Sequence, residues 1–155
     1  MVDEGVTRTL RDIGLAVKRL QMRDHRAINA ELAALEISLV QWDALCHLDH
    51  NPGASLHDLA QLTFQSDQSF GALATRMIER GLIERAHGPG RAVRHRLTDK
   101  GRALRHAGDQ IVERVLTASF APLTAQQLAS FDTLLAQLLG SGADGGAARD
   151  CDPTP

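Results

Sequence analysis

Residues 55–85 read SLHDLAQLTFQSDQSFGALATRMIERGLIER, and the fold follows from how this stretch is punctuated. Ser55 precedes the apolar-periodic run LHDLAQLT, with Asp58 three residues on, so a serine hydroxyl caps the helix and an acid sits in its first turn. After Phe64 and Gln65, Ser66 caps a second helix, DQSFGALATRMIER, which stops at Gly81. Phe70, Leu73 and Met77 share one face of it and belong to the core. Two short helices joined by a tight turn make a helix-turn-helix.

Working toward the C-terminus, LIERA and AVRHRL alternate as strands about the four-residue connection His87-Gly88-Pro89-Gly90, which predicts a β-hairpin. In its second strand Val93, His95 and Leu97 share one face, Arg94 and Arg96 the other. His95 therefore faces inward as a core histidine. Thr98 caps a long helix carrying Leu104, Ile111, Val112, Val115 and Leu116, which runs out near Ala121-Pro122. Thr124 and Gln127 form a capping box for a last helix bearing Leu128, Phe131, Leu134, Leu135 and Leu138.

Working toward the N-terminus, Ser38 and Gln41 form another capping box, with Ile37 and Trp42 as its hydrophobic staple. The helix they open runs from Leu39 to about His50 and stops at Asn51-Pro52-Gly53. Before it, a helical pattern extends from about Val6 to Leu35. Leu10, Ile13, Val17 and Leu20 recur on it in heptad-like steps, and Ile28, Leu32 and Leu35 continue an apolar stripe. A body this small cannot cover the whole stripe, so part of it packs on another chain. The tail GSGADGGAARDCDPTP has no periodicity and the composition of a disordered segment.

The 155 residues predict one domain, mainly α with a small hairpin. Aromatic residues make up 3% and tyrosine is absent, which argues against stacking platforms for single-stranded nucleic acid. The first residues lack the apolar core of a signal peptide, and no run of 18 apolar residues occurs, so a cytoplasmic protein with no membrane partner is expected. Cys46 and Cys151 are too far apart in sequence to read as a disulfide framework. Net charge is −2, yet residues 72–106 hold nine Arg or Lys against three acids, which leaves −8 elsewhere. A basic segment on an acidic body is the footprint of a polyanion-binding surface; the plainer alternative is a solvated helix face.

Helix, helix, helix-turn-helix, hairpin, helix, helix is the order of a winged helix-turn-helix flanked by helical arms. Across about residues 5–140 the chain resembles the MarR family of bacterial transcription factors, through ISLVQWDAL, NPGASLHDLAQLT, TRMIERGLIER and RLTDKGRAL in that order. The resemblance implies a homodimer built from an N-terminal helix at 5–35 and C-terminal helices at 101–140. The DNA-binding region would span 36–100, its wing at about 82–97, with a free tail at 141–155. It implies a regulator, a repressor, that binds double-stranded DNA and is released by a small aromatic or phenolic ligand. The wing departs from the family pattern: Gly-Pro-Gly-Arg replaces an Asp-x-Arg tip, about two residues shorter.

Ser66, Asp67, Gln68 and Ser69 present short polar groups suited to base edges, Gln68 to adenine above all. Ser66, Gln68 and Ser69 are therefore candidate DNA contacts. Ala72 stands where many relatives carry arginine, and Arg76, one turn on, is the cationic contact from this helix. Arg91, beside the glycine tip, is the candidate for a narrow minor groove, and Arg94 for the flanking phosphates. Trp42 marks a pocket between the dimer helices for the organic ligand. Cys46 lies on an apolar face as an inert thiol. His47, His50 and His57 do not gather as zinc ligands, and no cofactor is implied. No nucleophile–base pair, phosphate-binding glycine loop or paired carboxylates occur, so an enzyme is not expected. A winged helix that binds protein instead of DNA is the alternative, and its mark would be a neutral wing.

Overall fold

The computed structural model describes residues 8–87, 90 and 93–140. The proposed tail at 141–155, with Cys151, lies outside the described residues, as does Arg91. Six α-helices and one antiparallel hairpin follow in the expected order: α1 Leu10–Leu32, α2 Leu39–His50, α3 Leu56–Leu62, α4 Asp67–Glu79, β1 Ile83–Ala86, β2 Arg94–Leu97, α5 Asp99–Phe120 and α6 Ala125–Gly140. A 3₁₀ turn, Ala33–Leu35, ends α1. None of the helices among the described residues is long and apolar enough to cross a membrane.

Serine and threonine hydroxyls start every helix. Ser38, Ser55, Ser66 and Thr98 each accept from the amide three residues on, and Thr124 exchanges bonds with Gln127. Thr9 does the same with Asp12, which corrects the expected start of α1 from about Val6 to Leu10. That capping box satisfies two of the helix's orphan amides and fixes its boundary. The Asp12 carboxyl is held below the usual carboxylate range by the Thr9 hydroxyl first and the Thr9 amide second.

Three helices end alike. The amides of Gly81 and Leu82 bond Ile78 O and Met77 O at 2.8 and 2.9 Å, with Gly81 at φ +68°, the left-handed closure of a Schellman motif. Glu36 closes the first helix the same way, and Phe64 closes α3: its amide bonds Gln61 O at 3.1 Å while Gln65 N bonds Ala60 O at 2.8 Å.

The core lies beneath the helix-turn-helix and between α1, α2 and α5. Ile28, Leu32, Leu45, Leu59, Phe70, Met77 and Leu82 are each at most 5% exposed. Leu73 and Leu97 join them, so the face predicted for α4 is the buried one. By contrast α6 has no buried residue, and the first half of α1 is open too, with Leu10 87% and Val17 56% exposed.

Among the described residues the hairpin's register runs from Ile83 opposite Leu97 to Ala86 opposite Arg94. Val93 consequently lies past the ladder and is exposed, while His95 and Leu97 are buried as expected. Gly90 has φ +90°.

Candidate nucleic-acid interface

The first turn of α4 is exposed from Ser66 to Ser69. Ser66 spends its oxygen on the cap, accepting from Ser69 N at 3.1 Å and donating to Ser69 Oγ at 3.0 Å. The Ser69 hydroxyl proton stays available to an outside acceptor. Asp67 is engaged from α3: His57 Nδ1 lies 2.9 and 3.0 Å from its two oxygens, and Gln61 Nε2 lies 3.1 Å from His57 Nε2. A Gln61–His57–Asp67 chain thus gives the acid of this turn a partner on α3 while it stays exposed. Gln68 and Arg76 are exposed and make no side-chain hydrogen bond or ion pair among the described residues. They are the free amide and the free cation of the helix.

The wing brings a second set of cations. Arg85 is exposed. Arg96 faces Glu84 across the ladder and bonds it at 2.6 Å, so part of its charge is already balanced. Arg94 is half-buried beside α3. The Asp58 carboxyl there is held low by the Ser55 hydroxyl first and the Ser55 amide next, with smaller contributions from His57 and Arg94. Burial pushes the His95 imidazole down, and nearby Arg85 adds to it.

The basic segment at 72–106 is not one surface. Arg105 is 8% exposed, its Nη1 3.2 Å from Asp49 and its Nε 3.5 Å from Asp109 without hydrogen-bond geometry. Arg102 reaches Asp49 at 3.3 Å, and Lys100 Nζ donates to the Arg80 carbonyl at 2.9 Å. These three cations brace the fold, whereas Arg76, Arg85 and Arg96 are exposed. Burial disfavours charge on Arg105, but a hydrogen bond with Cys46 and the Asp109 and Asp49 carboxylates outweigh it and raise its pKa.

Trp42 belongs to the same brace. Its indole N–H donates to Asp109 Oδ1 at 3.0 Å, and a Cβ on Gly108 would lie 2.3 Å from Trp42 Cδ1, so ring and glycine are in contact. Cys46 is fully buried below, its thiol 3.9 Å from Asp109 Oδ1. A hollow of about 580 Å³ lies elsewhere, on α6, lined by Leu123, Gln127, Phe131 and Leu134 among others. Among the described residues no three His, Cys, Asp or Glu gather as metal ligands.

A helix-turn-helix with an arginine-bearing hairpin behind it and long helices at both ends defines a winged-helix protein. Residues 35–92 match a MarR family model, so that segment, which holds the helix-turn-helix and β1, is similar to that family. Three solved structures share its fold. A mutant of MarR from E. coli complexed with operator DNA is 23% identical, with a TM-score of 0.74 over 82% of this chain and 93% of that one. A MarR family protein of Mycobacterium tuberculosis in complex with p-aminosalicylic acid is 25% identical, with a TM-score of 0.70 over 84% and 98%. An organohalide sensing transcriptional regulator in ligand-free form is 23% identical, with a TM-score of 0.74 over 91% and 86%. Comparison with curated protein sequences gives no match.

Proposed function

We propose that the chain is a sequence-specific, double-stranded-DNA-binding transcriptional repressor that works in the cytoplasm as a homodimer. The observation that carries this reading is the exposed first turn of α4, where Gln68 and Ser69 are free to meet base edges and Arg76 carries an unpaired charge. Ser66 orients that turn, and its free amides receive a phosphate. Arg91 enters the flanking minor groove and Arg94 meets the phosphates beside it. The likeness to MarR bound to its operator supports this placement of α4 and the wing.

The exposed leucines of α1 and α6, within the arms proposed at 5–35 and 101–140, form the dimer contact. A small aromatic or phenolic ligand releases the repressor, as the aminosalicylate on the mycobacterial relative supports, with Trp42 at its site. The test is selection of duplexes from a random library by the purified protein, followed by titration of a selected and a scrambled duplex at two salt concentrations. Equal affinity for both duplexes would refute sequence-specific binding.

A further inference from the structure

Phe64 sits at the closing position of the Schellman turn between α3 and α4, with φ +54° and 98% of its surface exposed. Each fact alone is ordinary. A lone apolar side chain on a surface needs no explanation. Left-handed closures are common, but they are given to glycine because a Cβ is disfavoured there. The same chain closes α4 with Gly81. At Phe64, neither packing nor turn geometry calls for a phenyl ring, since the ring touches no core and the backbone is easier without it.

Its surroundings say what the ring faces. Thr63 turns its hydroxyl back to the Leu59 carbonyl at 2.8 Å, and Gln65 Nε2 bonds that same hydroxyl at 3.2 Å. The neighbours on either side are therefore folded onto α3, and Phe64 is the outward side chain of the turn. It stands two residues before the Ser66 cap, at the lip of the exposed first turn of α4. That turn is wholly polar: it offers donors and acceptors, and nothing for the one apolar group a base pair displays in the major groove, the thymine methyl.

We infer that Phe64 is a further specificity-determining residue, which packs its ring on a thymine C5-methyl at the edge of the half-site read by α4. The inference rests on the regulator reading above and adds a base preference to it. The proposal separates ring from backbone: F64A removes the ring and keeps the left-handed Cβ, whereas F64G removes both. Each variant and the wild-type protein are titrated against a selected duplex and against the same duplex with uracil in place of thymine. Wild type should lose roughly fivefold or more on the uracil duplex. F64A should bind the thymine duplex that much more weakly and no longer distinguish the two. F64G should lose the same affinity while melting no lower than wild type, so unfolding does not explain the loss. F64A binding both duplexes like wild type, or losing equally on both while still distinguishing them, overturns the contact and leaves the regulator reading intact. Wild type that binds no duplex overturns both.

Discussion

Gln68 and Arg76 differ in what they offer DNA, and that difference is measurable. Gln68→Ala removes the proposed base reader but no charge. It should cost about 1–3 kcal/mol on a selected duplex and little on a scrambled one. Arg76→Ala should weaken both duplexes alike and flatten the salt slope by about one unit. Unchanged affinity and slope in Arg76→Ala would remove it from the interface. His95 gives a second residue-scale test. Its folded pKa is lowered below 6.5, by burial first and by Arg85 second. The unfolded chain takes up this proton more readily, so the stabilisation is complete above about pH 6.5 and is lost as pH falls through the folded value. His95→Leu should flatten the drop in melting temperature between about pH 7 and pH 5.5; an identical drop would show that His95 does not titrate in this way. These residues were legible because their signals are local: a cap three residues away, or alternation along one strand. Arg105 was not. It reads as one more cation of a basic run, and its partner Asp49 is far away in sequence, although Asp109 one turn on was a sign within reach.

At the scale of elements, capping serines and threonines placed the starts of the helices after α1, and the strands were found with their faces correct. Most of the tip of the wing lies outside the described residues, so only the paired strands can be set against the expectation. Close approaches between elements were invisible. The first turn of α5 presses on the residue before β1: a Cβ at Gly101 would lie 1.9 Å from the Leu82 carbonyl oxygen. Backbone meets backbone there, so Gly101→Ala should destabilise by about 3 kcal/mol, read as a lower denaturant midpoint. At Gly108 the obstacle is the Trp42 ring, a side chain that rotates away by giving up Asp109. Gly108→Ala should cost less and shift the emission of Trp42, the sole tryptophan. Equal losses at the two glycines would contradict this distinction.

For the whole molecule, the order of elements was readable from end to end, while the distribution of charge was only half readable. Of the nine cations counted at 72–106, Lys100, Arg102 and Arg105 are held by carbonyl or carboxylate groups within the fold. In the proposed DNA binding, the exposed Arg76, Arg85 and Arg96 would contribute to the salt dependence. Binding should weaken with salt by about 0.9 of a counterion for each phosphate neutralised, and a salt-independent affinity would place the interface elsewhere. The open apolar arms make a complementary prediction. Changing Leu10 and Val17 together to Glu should shift sedimentation from dimer to monomer and weaken binding to a two-half-site duplex, because avidity is lost. A wild-type monomer at micromolar concentration would refute the dimer.

α5 runs unbroken for 22 residues, its first turn against Leu82, its middle against Trp42, and its Arg114 bonded to Glu31 of α1. At 1.5 Å per residue that is a rod of about 33 Å. It is gripped close to the wing and again along the arms, so the reading head does not tilt independently of it. A swing of about 5° at the arm end carries the wing end through about 3 Å, nearly the 3.4 Å step from one base to the next along a strand. Seen mechanically, in the proposed dimer on DNA α5 would be a lever whose gearing turns a small change at the dimer contact into nearly one base step of misregister at the groove.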